Sequence, residues 1–558
     1  MRNTVKEYDL IILGSGLPGS ILAAIIARMG ANILIIEKGA HPRFAIGEAM
    51  LPQSTMWMLL LGERFNFPEI NDITDVKRVN ERVSKVCGQK RTISFLYHEE
   101  GKRQDLKYSH QIIAPEVPFS SESHFMRAEI DQHMVEVARK AGADYIDNTN
   151  VTEFDLKEND ITLKTEDGDT YHARLLIDGS GFRSPVAEAL ELRQPQSSLR
   201  SHSRTIFNHC TGLKNYDELE GVVSPSKRYG YHDGTLHHVF DGGWFWVIPF
   251  DNTPISESNL ASIGLSLDTS KYPLDESISP EKEFWSIVER YPSIQEHFEG
   301  LQPKRKWIRT GQIQYSSKRA AGKGWVMMSH AYGFIDALLS RGMINSFESV
   351  YYLANAIENA FKDDDYSYTY FEHLNEMQHE QIDATDRMVS TAYVSFSDFR
   401  LWNAWFNLWF GSKLLGDLYF MRGIVKAKSG DYSFYDRVNN AVRADLSAPF
   451  TEKVEELLET VESTQLAVKN GEMGIQEAAD KVCHLVESAD WLPHCVYHWG
   501  GPAGNADFSD EVVHELIMEW GRKDAPAWLR DSMFDFIPPW FPEAMDMMNK
   551  AHGAVGKP

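Results

Sequence analysis

The chain is poor in cysteine, short of positive charge and without a long apolar run. Its four cysteines, Cys87, Cys210, Cys483 and Cys495, form no C-x-x-C pair in 558 residues. That excludes a disulfide framework and suits a reducing cytoplasm. Lys and Arg number 56 against 80 Asp and Glu, a formal charge of −24. Such a field repels nucleic acid and anionic membranes, and it disfavours an acidic carrier protein as the substrate's escort. Apolar stretches such as Ile21–Ala27 are too short to cross a bilayer. The first strand begins almost at the N-terminus, which leaves no room for a signal peptide. A cytoplasmic protein with no nucleic-acid partner and no membrane span is expected. There is no internal repeat or low-complexity segment, and the length allows a large core in two or three units.

What is present organises around residues 8–37. Tyr8–Leu13 reads as a buried parallel strand. Gly14-Ser15-Gly16-Leu17-Pro18-Gly19 then fits G-x-G-x-x-G. In that pattern Gly14 permits a tight turn, Gly16 lets a phosphate approach the backbone, and Gly19 lets the next helix pack close to the strand. The helix, read as Ile21–Met29, aims its first N–H groups at a pyrophosphate. Ala31–Ile36 is a second strand ending in Glu37, whose carboxylate suits the two hydroxyls of an adenosine ribose and repels a 2′-phosphate. Glycine turn, helix start and acid about 20 residues on together indicate a bound dinucleotide. They do not separate FAD from NAD.

Further along, Arg43, Gly47 and Glu48 lie in a loop just beyond the nucleotide strand, placed either at the surface or along the cofactor. Lys90 stands just before Thr92–Tyr97, an alternating strand with Ile93, Phe95 and Tyr97 on one face. Arg127 precedes a helix over 128–142. Leu176-Ile177-Asp178-Gly179-Ser180-Gly181 is a strand entering a second small-residue turn. Residues 196–300 mix strands and turns. Asp241-Gly242-Gly243 reads as a hairpin turn, followed by Trp244-Phe245-Trp246-Val247-Ile248-Pro249-Phe250 with Trp244, Trp246 and Ile248 on one face. Gly333 and Asp336 flank a turn, and Ser340-Arg341-Gly342 opens a helix running past Ala360, where free N–H groups form a natural anion site. After Lys362-Asp363-Asp364-Asp365 the chain is mostly helical. Trp402, Trp405, Phe406, Trp409 and Phe410 form a helical stripe, read as core or as a cap over the second sheet. His514-Glu515 starts an H-E-x-x-H that fails at Met518. His494 and His498 are spaced for a metal, but their aromatic-rich surroundings argue for packing, and no metal is expected.

Three of these stretches resemble the flavin-dependent halogenases. Trp244, Trp246, Ile248 and Pro249 match the family's W-x-W-x-I-P, and Lys90 before Phe95 and Tyr97 matches its lysine upstream of an aromatic strand. Gly88-x-Lys90, Gly234-Thr235-Leu236-His237-His238, Gly333-Phe334-Ile335-Asp336 and Ser395–Trp402 are most similar to the branch of the pyrrolnitrin aminophenylpyrrole and chlortetracycline halogenases. The likeness covers nearly the whole chain and is weakest after about residue 430.

The resemblance implies an α/β protein: an FAD-binding Rossmann-like domain of the flavin hydroxylase type, a mixed or antiparallel substrate sheet, and a helical C-terminal region. The corresponding units are 1–85, 120–195 and 301–362; then 86–119 with 196–300; then 363–558. It implies FAD used as FADH2 from a separate NAD(P)H-dependent flavin reductase, together with O2 and chloride or bromide. The cofactor would rest on Gly14, Gly16, Gly19, Glu37, Lys38, Arg43, Gly47, Glu48, Arg127, Asp178, Gly179, Gly333 and Asp336. Halide would be held at Ser340, Arg341 and Gly342. Hypohalous acid would pass inside the protein to Lys90, and Trp244 and Trp246 would keep the substrate from the flavin. The substrate would be a small electron-rich aromatic such as a pyrrole, phenol or indole, free or carrier-bound. A base could be His98, His237 or His238, and Lys85 is the alternative lysine. The halide loop departs from the usual pattern at Ala337 and Leu339. Leu339 also stands where tryptophan halogenases carry glutamate, so free tryptophan is not the expected substrate, and the halide preference stays open. A flavin monooxygenase that hydroxylates an aromatic shares the same fold. A redox-silent FAD-binding escort protein is the remaining alternative.

Overall fold

The computed structural model describes residues 6–114, 122–498, 505–506 and 513–538. Two eight-stranded sheets carry the fold. In the first, Lys6–Leu13 lies between Ile33–Ile36 and Thr170–Asp178, parallel to both. Asp144–Ile146 and Trp325–Met327 extend the parallel order on either side. The strands read as unbroken apolar runs because both faces are covered: Ile33–Ile36 is buried at every residue. The helix Leu17–Arg28 begins at Leu17 rather than Ile21, since Pro18 is accommodated in its first turn.

The second sheet runs in the order 302–303, 203–211, 261–268, 243–249, 234–240, 92–97, 109–113, with 308–312 also pairing to 203–211. Its centre is Gly243–Pro249, reached from Gly234–Phe240 through the tight turn at Asp241-Gly242. Alternation divides this strand between two cores. Trp244, Trp246 and Ile248 join the core shared with the nucleotide sheet, while Phe245 and Val247 enter a second core with Phe284 and Phe298. The strands 302–303 and 308–312 correct the unit boundary drawn at residue 301. They belong to the second sheet, and the chain returns to the first only at Ala321. The boundary near residue 119 lies outside the described residues.

Helix Arg341–Lys362 ends at Asp363, where the acidic run begins. Beyond it, Phe399–Lys428 lays its aromatic stripe across the second sheet. Phe406 stacks on His110 at 4.0 Å, and both Trp402 and Phe406 pack on Phe95 at 5.6 and 5.4 Å. Among the described residues no helix is long and apolar enough to cross a membrane.

Candidate active site

The nucleotide end is set by backbone proximity. Gly14 has φ +89°, and a Cβ there would fall 2.8 Å from the carbonyl oxygen of Gly179. A Cβ on Gly19 would fall 2.6 Å from that of Gly14. Gly16 is open instead: only the Arg43 guanidinium comes near, at 3.6 Å. The Ser15 N–H and hydroxyl each donate to Oε2 of Glu37 at 2.9 Å, and the Gly39 N–H donates to Oε1 at 2.9 Å. Burial raises the Glu37 carboxyl, but those donors and the Arg43 charge outweigh it and hold it below the usual range. An ionised, pre-oriented carboxylate at the strand end, an open Gly16 beside a helix N-terminus, and a buried Nε of Arg43 that has no partner among the described residues together fit the ribose and pyrophosphate of FAD.

The loop after this strand is fastened from below. Arg127 forks onto Asp131 at 2.8 and 3.1 Å and donates to the carbonyls of Ile46 and Gly47 at 2.9 and 3.1 Å. Arg127 therefore acts as a structural clamp on Gly47. Glu48 is buried and bonds His209 at 2.5 Å. Asp178 accepts from Ser184 and from the Ser180 N–H at 2.6 and 2.9 Å, tying down the turn through Gly179. Lys38 is exposed.

At the other side of the cofactor region, Ser340 has φ +50° and caps the helix Arg341–Lys362. The first-turn N–H groups of Arg341 and Gly342 lack intrahelical acceptors. A cavity of about 20 Å³ adjoins them, lined by Gly333, Asp336, Gly342 and Asn345 among others. Asp336 is turned into the protein: it accepts from Ser203 at 2.5 Å, from the Leu338 N–H at 3.0 Å and from Tyr393 at 3.1 Å.

Lys90 ends the short strand Gly88–Lys90, which pairs with Glu122–His124 so that Lys90 lies opposite Glu122. Gly88 is pressed on the tryptophan strand, since a Cβ there would fall 2.3 Å from the Pro249 carbonyl oxygen. Lys90 is 2% exposed. Burial brings its ammonium down to about 7, with Glu122 opposing and Lys413 assisting. Glu122, also buried, is pushed up to about 7 by burial, against the charges of Arg91, Lys90 and Lys413. Lys85, by contrast, is two-thirds exposed at 66% and pairs with Glu257. The two indoles of the tryptophan strand lie with centroids 5.7 Å apart. Trp246 faces Phe207, which stacks on Phe44 of the loop after the nucleotide strand; Trp244 faces His237.

Residues 99–405 match the family described as tryptophan halogenase. The chain is 34% identical to the tetracycline 7-halogenase of Kitasatospora aureofaciens, covering 88% of each. It is also 34% identical to the monodechloroaminopyrrolnitrin halogenase PrnC of Pseudomonas fluorescens, over 96% of this chain and 94% of that one. The crystal structure of halogenase PltM with phloroglucinol and FAD superposes with a TM-score of 0.81 at 30% identity, covering 86% of this chain and 95% of that one. The chain belongs to the flavin-dependent halogenases.

In this halogenase the three candidate histidines lie on opposite faces of the second sheet. His237 stacks on Phe95 at 4.2 Å, on the side that feels the Lys90 charge, and donates through Nδ1 to the Ser94 carbonyl at 2.9 Å. His98 and His238 lie in the second core, bonded in a chain to His297 at 2.9 and 3.0 Å. Burial brings His98 and His237 down to about 3, so both are neutral. His494 bonds the Ala489 carbonyl at 2.8 Å; the His498 side chain lies outside the described residues. Sequence reading missed Glu122, which lies opposite Lys90, Tyr393, which bonds Asp336, and the buried ion pair of Lys413 and Asp417. For the last two a signal existed: an i,i+4 charge pair embedded in the apolar stripe of the helix that carries Phe406 and Phe410.

Proposed function

We propose that this halogenase oxidises chloride or bromide with O2 to hypohalous acid, and that Lys90 directs the oxidant onto one carbon of an electron-rich aromatic small molecule. When bound as FADH2, supplied by a separate flavin reductase, the cofactor provides the reducing equivalents for O2 activation. The chain's own residues do the rest. The first-turn N–H groups of Arg341 and Gly342 hold the halide, and the neighbouring cavity has room for a single water-sized guest. The Trp244 and Trp246 wall keeps the ring away from the flavin, so the ring meets halogen rather than activated oxygen. Lys90 receives the hypohalous acid as a hydrogen-bond partner, or forms a haloamine with loss of water, and so fixes the place of transfer. His237 is the candidate base on the Lys90 side of the sheet.

The observation that carries this reading is the burial of the Lys90 amine, on a short strand whose Gly88 is pressed against the Pro249 carbonyl of the tryptophan strand. The relatives act on a tetracycline and on monodechloroaminopyrrolnitrin, and the solved neighbour binds phloroglucinol. All are consistent with a phenol- or pyrrole-type ring. The test is incubation with FAD, a reductase, NADH, air and chloride or bromide, with phenol, pyrrole and indole offered in turn. Halogenated product that requires halide supports the reading. Hydroxylated product formed equally without halide would make the protein a monooxygenase.

A further inference from the structure

Helix Phe399–Lys428 buries a ladder of apolar side chains, and one turn past Phe410 that ladder is interrupted by charge. Lys413 Nζ and Asp417 Oδ2 are 2.5 Å apart, and the side chains are 13% and 15% exposed. An ion pair on a covered helix face gains less than apolar residues of the same size would. It is not explained by packing.

The surroundings suggest a role. Lys413 borders two cavities. One, of about 140 Å³, is lined by Leu339, Arg341, Trp409 and Tyr419 among others, and so reaches from the halide loop to the C-terminal helices. The other, of about 40 Å³, is lined by Asp417 and Phe410 of this helix together with Ile93, Ile112 and Ile113 of the second sheet. The charge of Lys413 is felt at both Lys90 and Glu122. Among the described residues Oδ1 of Asp417 is buried without a hydrogen-bond partner. A buried carboxylate oxygen left without a donor is costly. It marks a place where a ligand would supply one.

We propose that Lys413 and Asp417 bind and activate the substrate, and that the substrate is a hydroxy-arene. This deepens the halogenase reading and rests on it. Oδ1 of Asp417 can only accept, and the Lys413 ammonium can only donate. A ring hydroxyl does both: its O–H donates to Asp417 while its oxygen accepts from Lys413. A pyrrole N–H satisfies only the carboxylate, and an aryl ether only the ammonium. The chemistry follows from the same contacts. As the ring carbon takes halogen from hypohalous acid, the O–X bond breaks and the hydroxyl proton passes to Asp417, so the ring reacts as a phenolate held by Lys413. The ring C–H proton leaves with the released hydroxide as water, and Asp417 returns its proton to the product oxygen. The sum is ArH + HOX → ArX + H2O, with the pair unchanged.

The test compares phloroglucinol with 1,3,5-trimethoxybenzene, an electron-rich ring of the same substitution pattern without an O–H. Wild type, Asp417→Asn and Lys413→Met are assayed with FAD, a reductase and bromide, and binding of each probe is titrated by tryptophan quenching. Wild type should prefer the phenol by roughly 100-fold in kcat/KM. Asp417→Asn should bring the phenol down to the ether's rate, and Lys413→Met should raise KM for the phenol more than for the ether. Titration of wild type should show binding of the phenol and not the ether, which tests the pairing without any variant. Equal wild-type rates, equal wild-type binding, or an Asp417→Asn enzyme that keeps the preference would overturn the proposal while leaving the halogenase reading intact. Consumption of FADH2 by wild type with no halogenation of either ring would remove both.

Discussion

The indole Nε1 of Trp244 donates a hydrogen bond to the phenolic oxygen of Tyr393 at 3.0 Å, and Tyr393 donates in turn to Asp336 at 3.1 Å. All three are buried. The contacts tie the tryptophan strand of the second sheet to the loop that leads into helix Arg341–Lys362, by way of helix His373–Ser395. Asp336, placed by sequence among the cofactor contacts, thus directs both of its oxygens to protein donors. Burial raises its carboxyl, against the donors that oppose that shift.

Removing the Tyr393 hydroxyl should loosen the wall without emptying it. Tyr393→Phe leaves the indole N–H of Trp244 buried and unpaired, a cost of about 1–3 kcal/mol. The expected outcome is a lower Tm and less halogenated product per FADH2 oxidised, with peroxide making up the difference. Unchanged coupling would show that the tie does not hold the wall in place.

Trp246 lies flat over Gly264, where an added Cβ would fall 1.9 Å from Cζ2 of the indole. Gly264→Ala must therefore displace the ring. Overpacking of this kind costs about 1–3 kcal/mol, read as a lower Tm. Displacement should also open the partition, seen as hydroxylated or unhalogenated turnover. A variant with wild-type Tm and coupling would contradict the close packing of this pair.

Lys90 makes a pH prediction whose sign is fixed. Its ammonium is brought from an ordinary value near 10.5 down to about 7, chiefly by burial. Between those values the unfolded chain binds the extra proton, so this residue's contribution to stability rises with pH from about 7 upward, and its penalty is full below 7. Lys90→Met should therefore raise Tm relative to wild type at pH 6, and the gain should shrink by pH 10. Melts at the two pH values check it, and a gain that grows with pH has the wrong sign. In turnover, a haloamine route needs the neutral amine. The rate of halogen transfer should then climb as pH passes through about 7 and level off above.

Much of this was legible in the chain because local chemistry dictated it. Gly14, Gly16, Gly19 and Glu37 are fixed by the demands of one turn, and Trp244, Trp246 and Ile248 share a face by strand periodicity alone. The aromatic stripe at Trp402–Phe410 likewise announced a covered helix face. What escaped depended on contacts distant in sequence. Glu122 faces Lys90 only because two three-residue strands pair across more than thirty residues. His98 and His238 looked equivalent to His237 until the sheet assigned them to opposite sides. The strands 302–303 and 308–312 are short and polar, and only their pairing with Ser203–Thr211 assigns them to the second sheet.

The most direct measurement follows both fates of the oxidant in wild type and Lys90→Ala. With FAD, a reductase and bromide present, halogenated phenol and hypohalous acid captured by a soluble scavenger are counted against FADH2 consumed. The account predicts that Lys90→Ala still oxidises FADH2 and still releases halide-dependent oxidant to the scavenger, while halogenated phenol falls by roughly 100-fold or more. Halogenated phenol formed at the wild-type rate by Lys90→Ala would contradict it.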